Sequence, residues 1–531
     1  MGIHRIVALV AVTGLSAQTP PKFEVADVHR SDRAMNPYTF VSGGVLRGER
    51  YDLRKATMLD LIRIAYNVDP ETVVGGPNWL EFDRFDIAAT APASSSAEQV
   101  RLMLQSLLAD RFKLALRKDT RPMPAFVLAA GKTKPKMKES DGTGDPGCQY
   151  EQQPAGSVSV VYSCRIMKMA AFAERLRDLG YDYLKEPVVD GTGLDGSWDF
   201  ELRWNRRSQV LPDGTERTTI FDALSKQLGL SLTLQQASAP VLVVDRVNDK
   251  PTENPPDLKQ KLPPRVVEFE VADLKPGRPD EQPCCFRVTP GGGLEARAMD
   301  MRVLMAAAWD IDFDHVERFA GLPKWVESAK FDINAKTPTN TNGPPLRGSG
   351  FIDDDVRLML RNLLVERFQI KWHYEDRLVE AYSLVAAKQT KMKKAESANR
   401  ATCKEARTIA NDPRDANPLL SELLTCRNAT VAQLATKLQE LEPDNFVYPV
   451  EDATGLTGTW DFTLSFTPPW MLRPQTTAQT TAQTNGQASD PSGAISLADA
   501  VSRQLGLKLE TRKRLLPVVV IDHMEEKPLE N

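Results

Sequence analysis

An α+β fold repeated in tandem is what the sequence predicts, and three observations predict it. Short peptides return in the same order along the 531 residues: Phe23-Glu24-Val25-Ala26-Asp27 as Phe269-Glu270-Val271-Ala272-Asp273, Val100-Arg101-Leu102-Met103-Leu104 as Val356-Arg357-Leu358-Met359-Leu360, and Trp198-Asp199-Phe200 as Trp460-Asp461-Phe462. Collinear matches of this kind mark a duplicated architecture. Stretches of helical period alternate with continuously apolar, strand-like runs inside each copy. At about 150 residues per domain, the length asks for three or four cores rather than one.

The elements follow in order. Arg5 precedes an apolar run over residues 6–12, and Leu15-Ser16-Ala17 then stands before Gln18, so residues 1–17 read as a cleavable secretory signal. That run is too short to span a bilayer, and no other approaches the roughly 20 residues required. The first copy occupies 22–254. Thr57 with Asp60 opens a helix through Leu61, Ile62 and Ala65, while Ser96 with Gln99 forms a capping box. Behind that box, Val100, Met103, Leu104, Leu107, Leu108 and Phe112 make an apolar stripe, kept in the second copy as Val356, Met359, Leu360, Leu363, Leu364 and Phe368. Asp300 stands at the helix cap of the second copy. Gly229 and Gly506 stand just past helix ends, where a left-handed residue is wanted. Residues 241–244 and 518–521 are continuously apolar and should be central, buried strands. A Pro/Lys-rich linker covers 255–265, the second copy runs over 266–531, and 468–493 is a Thr/Gln/Ala-rich insertion of low complexity.

A fainter repeat lies inside each copy. Val73-Val74-Gly75-Gly76 followed by Phe85-Asp86-Ile87 parallels Val188-Val189-Asp190-Gly191 followed by Trp198-Asp199-Phe200. Four related modules follow, each with a helix, a glycine turn, a strand opening on aromatic-Asp, a second helix and two closing strands.

Cysteine use agrees with a periplasmic or extracellular location. Six cysteines allow many pairings, and the repeat selects Cys148 with Cys164 and Cys403 with Cys426, which occupy equivalent positions. Separate buried thiols are the plainer alternative. Cys284-Cys285 has no counterpart, and no Cys or His lies beside it at zinc-site spacing, so no metal is expected there. Lys and Arg number 67 against 71 Asp and Glu, and the net charge of −4 speaks against a dedicated nucleic-acid binder.

Chemical motifs fail one after another. Gly142-Thr143-Gly144-Asp145-Pro146-Gly147 and Gly191-Thr192-Gly193-Leu194-Asp195-Gly196 fit G-x-G-x-x-G, yet neither opens a helix, so no dinucleotide or other cofactor is expected. Asp190-Gly191-Thr192-Gly193 and Asp452-Ala453-Thr454-Gly455 lack the Thr or Ser that an aspartic-protease pair carries after Asp, and read as turns. His29, His315, His373 and His523 align with Lys275, Asp69, Arg117 and Arg246, so a chemistry shared by both copies uses no histidine. What the copies do share is Trp79 with Trp325, the aromatic-Asp pairs, Arg111 with Arg367, and lysine runs at 132–138 and 388–394.

These pieces carry a resemblance. Phe23-Glu24-Val25-Ala26-Asp27, Gly75-Gly76-Pro77-Asn78-Trp79, Ala109-Asp110-Arg111-Phe112, Asp190-Gly191-Thr192-Gly193-Leu194 and the ending Lys250-Pro251-Thr252-Glu253-Asn254 resemble the secreted paralogous family of Solibacter-type acidobacteria, a domain of unknown function, here in two tandem copies. The modules also resemble the short α+β domains of secretins and TonB-dependent receptors, in fold alone. The resemblance brings no catalytic residue or cofactor with it. The expected function is non-enzymatic binding, interaction or sensing, toward an envelope protein or polymer, because tandem modules raise effective concentration without chemistry. The alternative is a secreted hydrolase of wall peptide or polysaccharide, acting through carboxylates such as Asp353-Asp354-Asp355, which read more simply as helix N-terminal charge.

Overall fold

The computed structural model describes residues 20–530 except 32–40, 132–133, 154–157, 185, 207–215, 290–292, 312–317, 339–340, 343–353, 397–399, 406–419, 421, 443–445, 447 and 472–492. The signal segment 1–17, Asp353, His315 and most of the 468–493 insertion therefore lie outside the described residues.

The first copy opens with β1 (Val25–Arg30), the hairpin β2 (Ser42–Arg47) and β3 (Arg50–Thr57), helix α1 (Met58–Tyr66), the short β4 (Val73–Gly75), β5 (Arg84–Thr90), helix α2 (Ala97–Phe112) and the long β6 (Ala115–Ala130). It continues with β7 (Lys138–Glu139), β8 (Gly147–Tyr150), β9 (Val160–Met167), α3 (Met169–Leu179), β10 (Val188–Asp190), β11 (Trp198–Trp204), α4 (Ile220–Ala223) and the long β12 (Leu230–Arg246). The two runs have the same sheet order. β1-β5-β3-β2 forms one antiparallel sheet and β7-β11-β9-β8 the other. The fainter repeat is therefore a repeat of structure.

Between these sheets, β6 and β12 pair antiparallel from Ala115↔Arg246 to Ala130↔Leu230. One end of this ribbon takes β4 as a parallel neighbour and feeds Leu242 and Val244 into the first core. Its other end takes β10 and feeds Phe126, Leu128, Leu230 and Leu232 into the second. The two closing strands expected of the first module are thus one continuous strand. Pro122, Pro124 and Pro240 do not break the ribbon. They share one register parity, opposite Ser238, Gln236 and Thr120, at a waist where the outer strand edges are unpaired. A missing N–H is tolerated on such an edge.

After α5 (Leu258–Lys261), the second copy repeats this plan. Its elements are β13 (Val271–Pro276), β14 (Cys284–Val288), β15 (Leu294–Asp300), α6 (Met301–Trp309), β16 (Phe319–Ala320), β17 (Lys330–Lys336), β18 (Thr341–Asn342), α7 (Asp354–Arg367) and β19 (Lys371–Ala386). The rest are β20 (Lys393–Lys394), β21 (Thr402–Glu405), β22 (Glu422–Ala429), α8 (Val431–Leu441), β23 (Glu451–Asp452), β24 (Trp460–Phe466), α9 (Leu497–Ala500) and β25 (Leu507–His523). The sheets β13-β17-β15-β14 and β20-β24-β22-β21 flank the ribbon β19/β25. Val518, Val519, Val520 and Ile521 are buried in that ribbon, as are residues 241–244 in its counterpart.

The local signals are visible in atoms. Thr57 with Asp60 and Ser96 with Gln99 make reciprocal caps. Asp300 occupies the cap of α6 without a side-chain hydrogen bond. Gly229 and Gly506 take φ of 72° and 69°. Gly321 (φ 78°) follows the short β16, and a Cβ there would meet the Ile521 carbonyl at 2.5 Å, so this glycine is required.

The copies dock through polar contacts. β18 extends the first sheet by pairing with β2. Lys55 meets Asp310 at 2.8 Å, Arg400 meets Glu81 at 2.6 Å, Lys404 meets Glu71 at 2.7 Å, and Gln433 donates to the Asn78 carbonyl at 3.1 Å. Among the described residues, no helix is long and apolar enough to cross a membrane.

Candidate functional site

The repeated polar residues come first, because a shared chemistry would lie among them. In each of the four flanking sheets, one strand of a β-hairpin carries a residue with left-handed φ: Lys55 (54°), Ile166 (49°), Ala298 (47°) and Asn428 (52°). Each of these bulges turns its amide toward the neighbouring strand, and an aspartate accepts it. Asp86, Asp199, Asp332 and Asp461 take the four N–H groups at 2.8, 2.8, 2.7 and 2.8 Å. The aspartate of every aromatic-Asp pair is therefore a bulge clamp. The hydrogen bond from the Ile166 amide, with a second from Ser140, holds the Asp199 carboxyl below the ordinary carboxylate range.

The other shared motifs are likewise engaged. Asp190 accepts the Thr192 amide and hydroxyl at 2.9 and 2.8 Å, and Asp452 accepts those of Thr454 at 3.0 and 2.7 Å, which closes two turns. Gln227 and Gln504 each bridge the N–H and C=O of one strand residue, Arg203 and Ser465 respectively. Lys136 and Lys391 donate to the Lys226 and Arg503 carbonyls at 2.9 and 2.7 Å, capping the turns before Gly229 and Gly506. Arg111 ties β1, α2 and the chain's Lys-Pro-Thr-Glu-Asn segment together. It donates to the Ala26 and Thr252 carbonyls and to Asn254, and Asn254 in turn donates to Asp27. Arg367 donates to the Glu530 carbonyl in the same place of the second copy. Three separate sequence motifs are thus one clamp.

Trp79 and Trp325 are half-buried against the first and third cores, edge-on to Phe85 and stacked on Phe368 respectively. Cys148–Cys164 and Cys403–Cys426 are disulfides between directly paired residues of β8–β9 and β21–β22. The side chains of Cys284 and Cys285 lie outside the described residues. Both G-x-G-x-x-G segments lead into strands, β8 and β11. Asp354 pairs with Arg357 at 2.5 Å, while Asp355 pairs with Arg47 and Arg265 across the copy boundary.

Among the described residues, a polar cleft lies on the first sheet of the first copy. The outer face of β1, β3 and β5 presents Asp27, His29, Arg50, Arg54 and Asp86, and Pro263 of the linker roofs them over about 250 Å³. His29 lies 3.3 Å from Asp27 and 3.9 Å from Asp86, and Ser31 donates to Asp86 at 2.5 Å. The Asp86 oxygen that takes Ser31 also takes the Lys55 amide, and the other faces Arg54 at 3.7 Å. This wiring orients a mixed-charge surface; it does not align a serine on a histidine as nucleophilic catalysis needs. Arg265 lines a neighbouring pocket with Asp52, Arg54, Asp354 and Asp355, where burial pushes its guanidinium down to about 10. In the sequence, His29 stands out only as a histidine without a counterpart in the second copy. Its companions were legible as every second residue of β1, β3 and β5, the faces turned from the core. Among the described residues, no cluster of His, Cys, Asp and Glu has a metal-binding arrangement.

Two stretches, 59–247 and 302–524, match the family described as Protein of unknown function (DUF3738), and the chain belongs to that family, once in each copy. No curated protein and no solved structure matches the chain.

Proposed function

We propose that this two-copy DUF3738 protein is a secreted binding or sensing protein of the bacterial envelope and works without covalent chemistry. The observation that carries the reading is the use of the shared polar groups. Asp86, Asp199, Asp332 and Asp461 are bulge clamps, Asp190 and Asp452 close turns, Gln227 and Gln504 bridge strands, and Arg111 and Arg367 hold chain ends. A function common to both copies then rests on shape and surface, which tandem modules present at high effective concentration. Two cross-strand disulfides support an oxidising compartment. The resemblance to the short domains of secretins and TonB-dependent receptors belongs to the same reading and favours an envelope partner.

The test is co-sedimentation of the oxidised protein with purified envelope polymers, with chromatography of the supernatant for released fragments. Retention without release is the expected outcome. Release of soluble fragments, abolished by one Asp or Glu substitution that leaves melting intact, would establish the hydrolase instead.

A further inference from the structure

The copies differ in what lies on the outer face of their first sheet. In the first copy the linker turns back across it. α5 packs on β1, Leu258 is only 7 % exposed, and Leu258 shares one pocket with Val25, Thr252, Pro255 and Pro256. Pro263 and Pro264 then pass over Asp27 and His29, and the Pro263 carbonyl accepts from Arg50. Arg265 ends the strap on Asp355 at 2.7 Å.

The second copy builds the same face from β13, β17 and β15, and no described segment crosses it. Val271, Asp273 and Lys275 occupy the register positions of Val25, Asp27 and His29. Val271 is 64 % exposed, and Leu529, which stands where the first copy has Thr252, is 51 % exposed. The Asp273 side chain is 42 % exposed, against 17 % for Asp27, which Asn254 and the strap both cover. A lone exposed leucine needs no explanation. Here, however, two apolar residues coincide at the place where the matching copy holds a leucine plug.

We propose that this face of the second copy docks a partner segment that carries a leucine on a single helical turn between proline pairs, the chemistry of the chain's own residues 255–265. The leucine would cover Val271 and Leu529, as Leu258 covers Val25. Proline pairs on both sides of the turn restrict the backbone before binding and leave few amides to satisfy, which lowers the ordering cost. The proposal rests on the binding reading and names its partner class.

The probe is a fluorescent peptide of residues 255–265, titrated by anisotropy into the full oxidised chain. Saturable binding is expected, weakened about tenfold or more by Val271→Asp, by Leu529→Asp, and by Leu258→Asp in the peptide, with melting unchanged because both protein residues are exposed. Absence of saturable binding up to about 1 mM would overturn it. Binding that survives both protein variants would overturn it too, since the peptide would then be displacing the native strap. Either failure alongside intact polymer retention removes this site and leaves the binding reading standing.

Discussion

Asp86 accepts both the Ser31 hydroxyl and the Lys55 amide, so its removal strands a bulge N–H beneath the linker. Asp86→Ala should destabilise the first unit by about 1–3 kcal/mol in urea unfolding. Asp199 adds a pH dependence. Its folded carboxyl sits below the ordinary value, so its stabilising effect is full above about pH 4 and lost as pH falls through the lowered value. Asp199→Asn should therefore show a shallower loss of melting temperature on acidification than the parent. An equal acid limb in both proteins would contradict the clamp. The aromatic-Asp pairs were legible in the sequence, but their partners were not. Lys55, Ile166, Ala298 and Asn428 share no side-chain chemistry, and only Asn is a residue type that favours left-handed φ. A backbone amide, not a side chain, is what the four sites have in common.

The long ribbons set the limit of legibility for elements. Apolar residues at the ribbon ends read as buried strands, but Pro122 and Pro124 in β6, Pro240 in β12 and Pro517 in β25 obscure the continuity of those three long strands. Their tolerance depends on which edge is open, and edges are a property of the sheet rather than of the strand. The caps of α1 and α2 were legible because capping is local, whereas the capping boxes at Thr219 and Thr430 were not read from the sequence. The disulfides act on the hairpins β8–β9 and β21–β22, spanning 16 and 23 residues. Replacing Cys148 and Cys164 by Ser should cost about 3 kcal/mol in the chain-entropy picture, with reductant giving the parent the same loss. Non-reducing peptide mapping should recover both intracopy crosslinks and none between copies. Trp325→Ala should lower stability by about 2–4 kcal/mol, because the indole stacks on Phe368 at the third core. An unchanged melting curve would instead mark it as a surface anchor.

Across the whole molecule, each copy owns its cores. The first and second cores draw only on the first copy, the third only on the second, and the fourth admits Phe82 as one apolar visitor. The boundary between copies is also crossed by the β18–β2 strand pairing, by the Gln433–Asn78 hydrogen bond, by ion pairs such as Glu81–Arg400 and Lys55–Asp310, and by the strap of the linker. The sequence presents that linker as a segment with little to bury, whereas Leu258 is buried and Arg265 is paired. Its docking depends on a face assembled from three strands, which no local pattern announces. Residues 22–255 expressed alone with oxidised cysteines should unfold cooperatively; solubility only beside the second copy would mean a shared core. The central claim is that the residues common to both copies hold the fold and do not perform chemistry. Its most direct test is to convert Asp86, Asp199, Asp332 and Asp461 singly to Asn, and to compare melting with polymer retention and fragment release. The account predicts that every variant melts earlier, yet binds as the parent does wherever it is folded. A variant that melts like the parent but loses retention or release would contradict it.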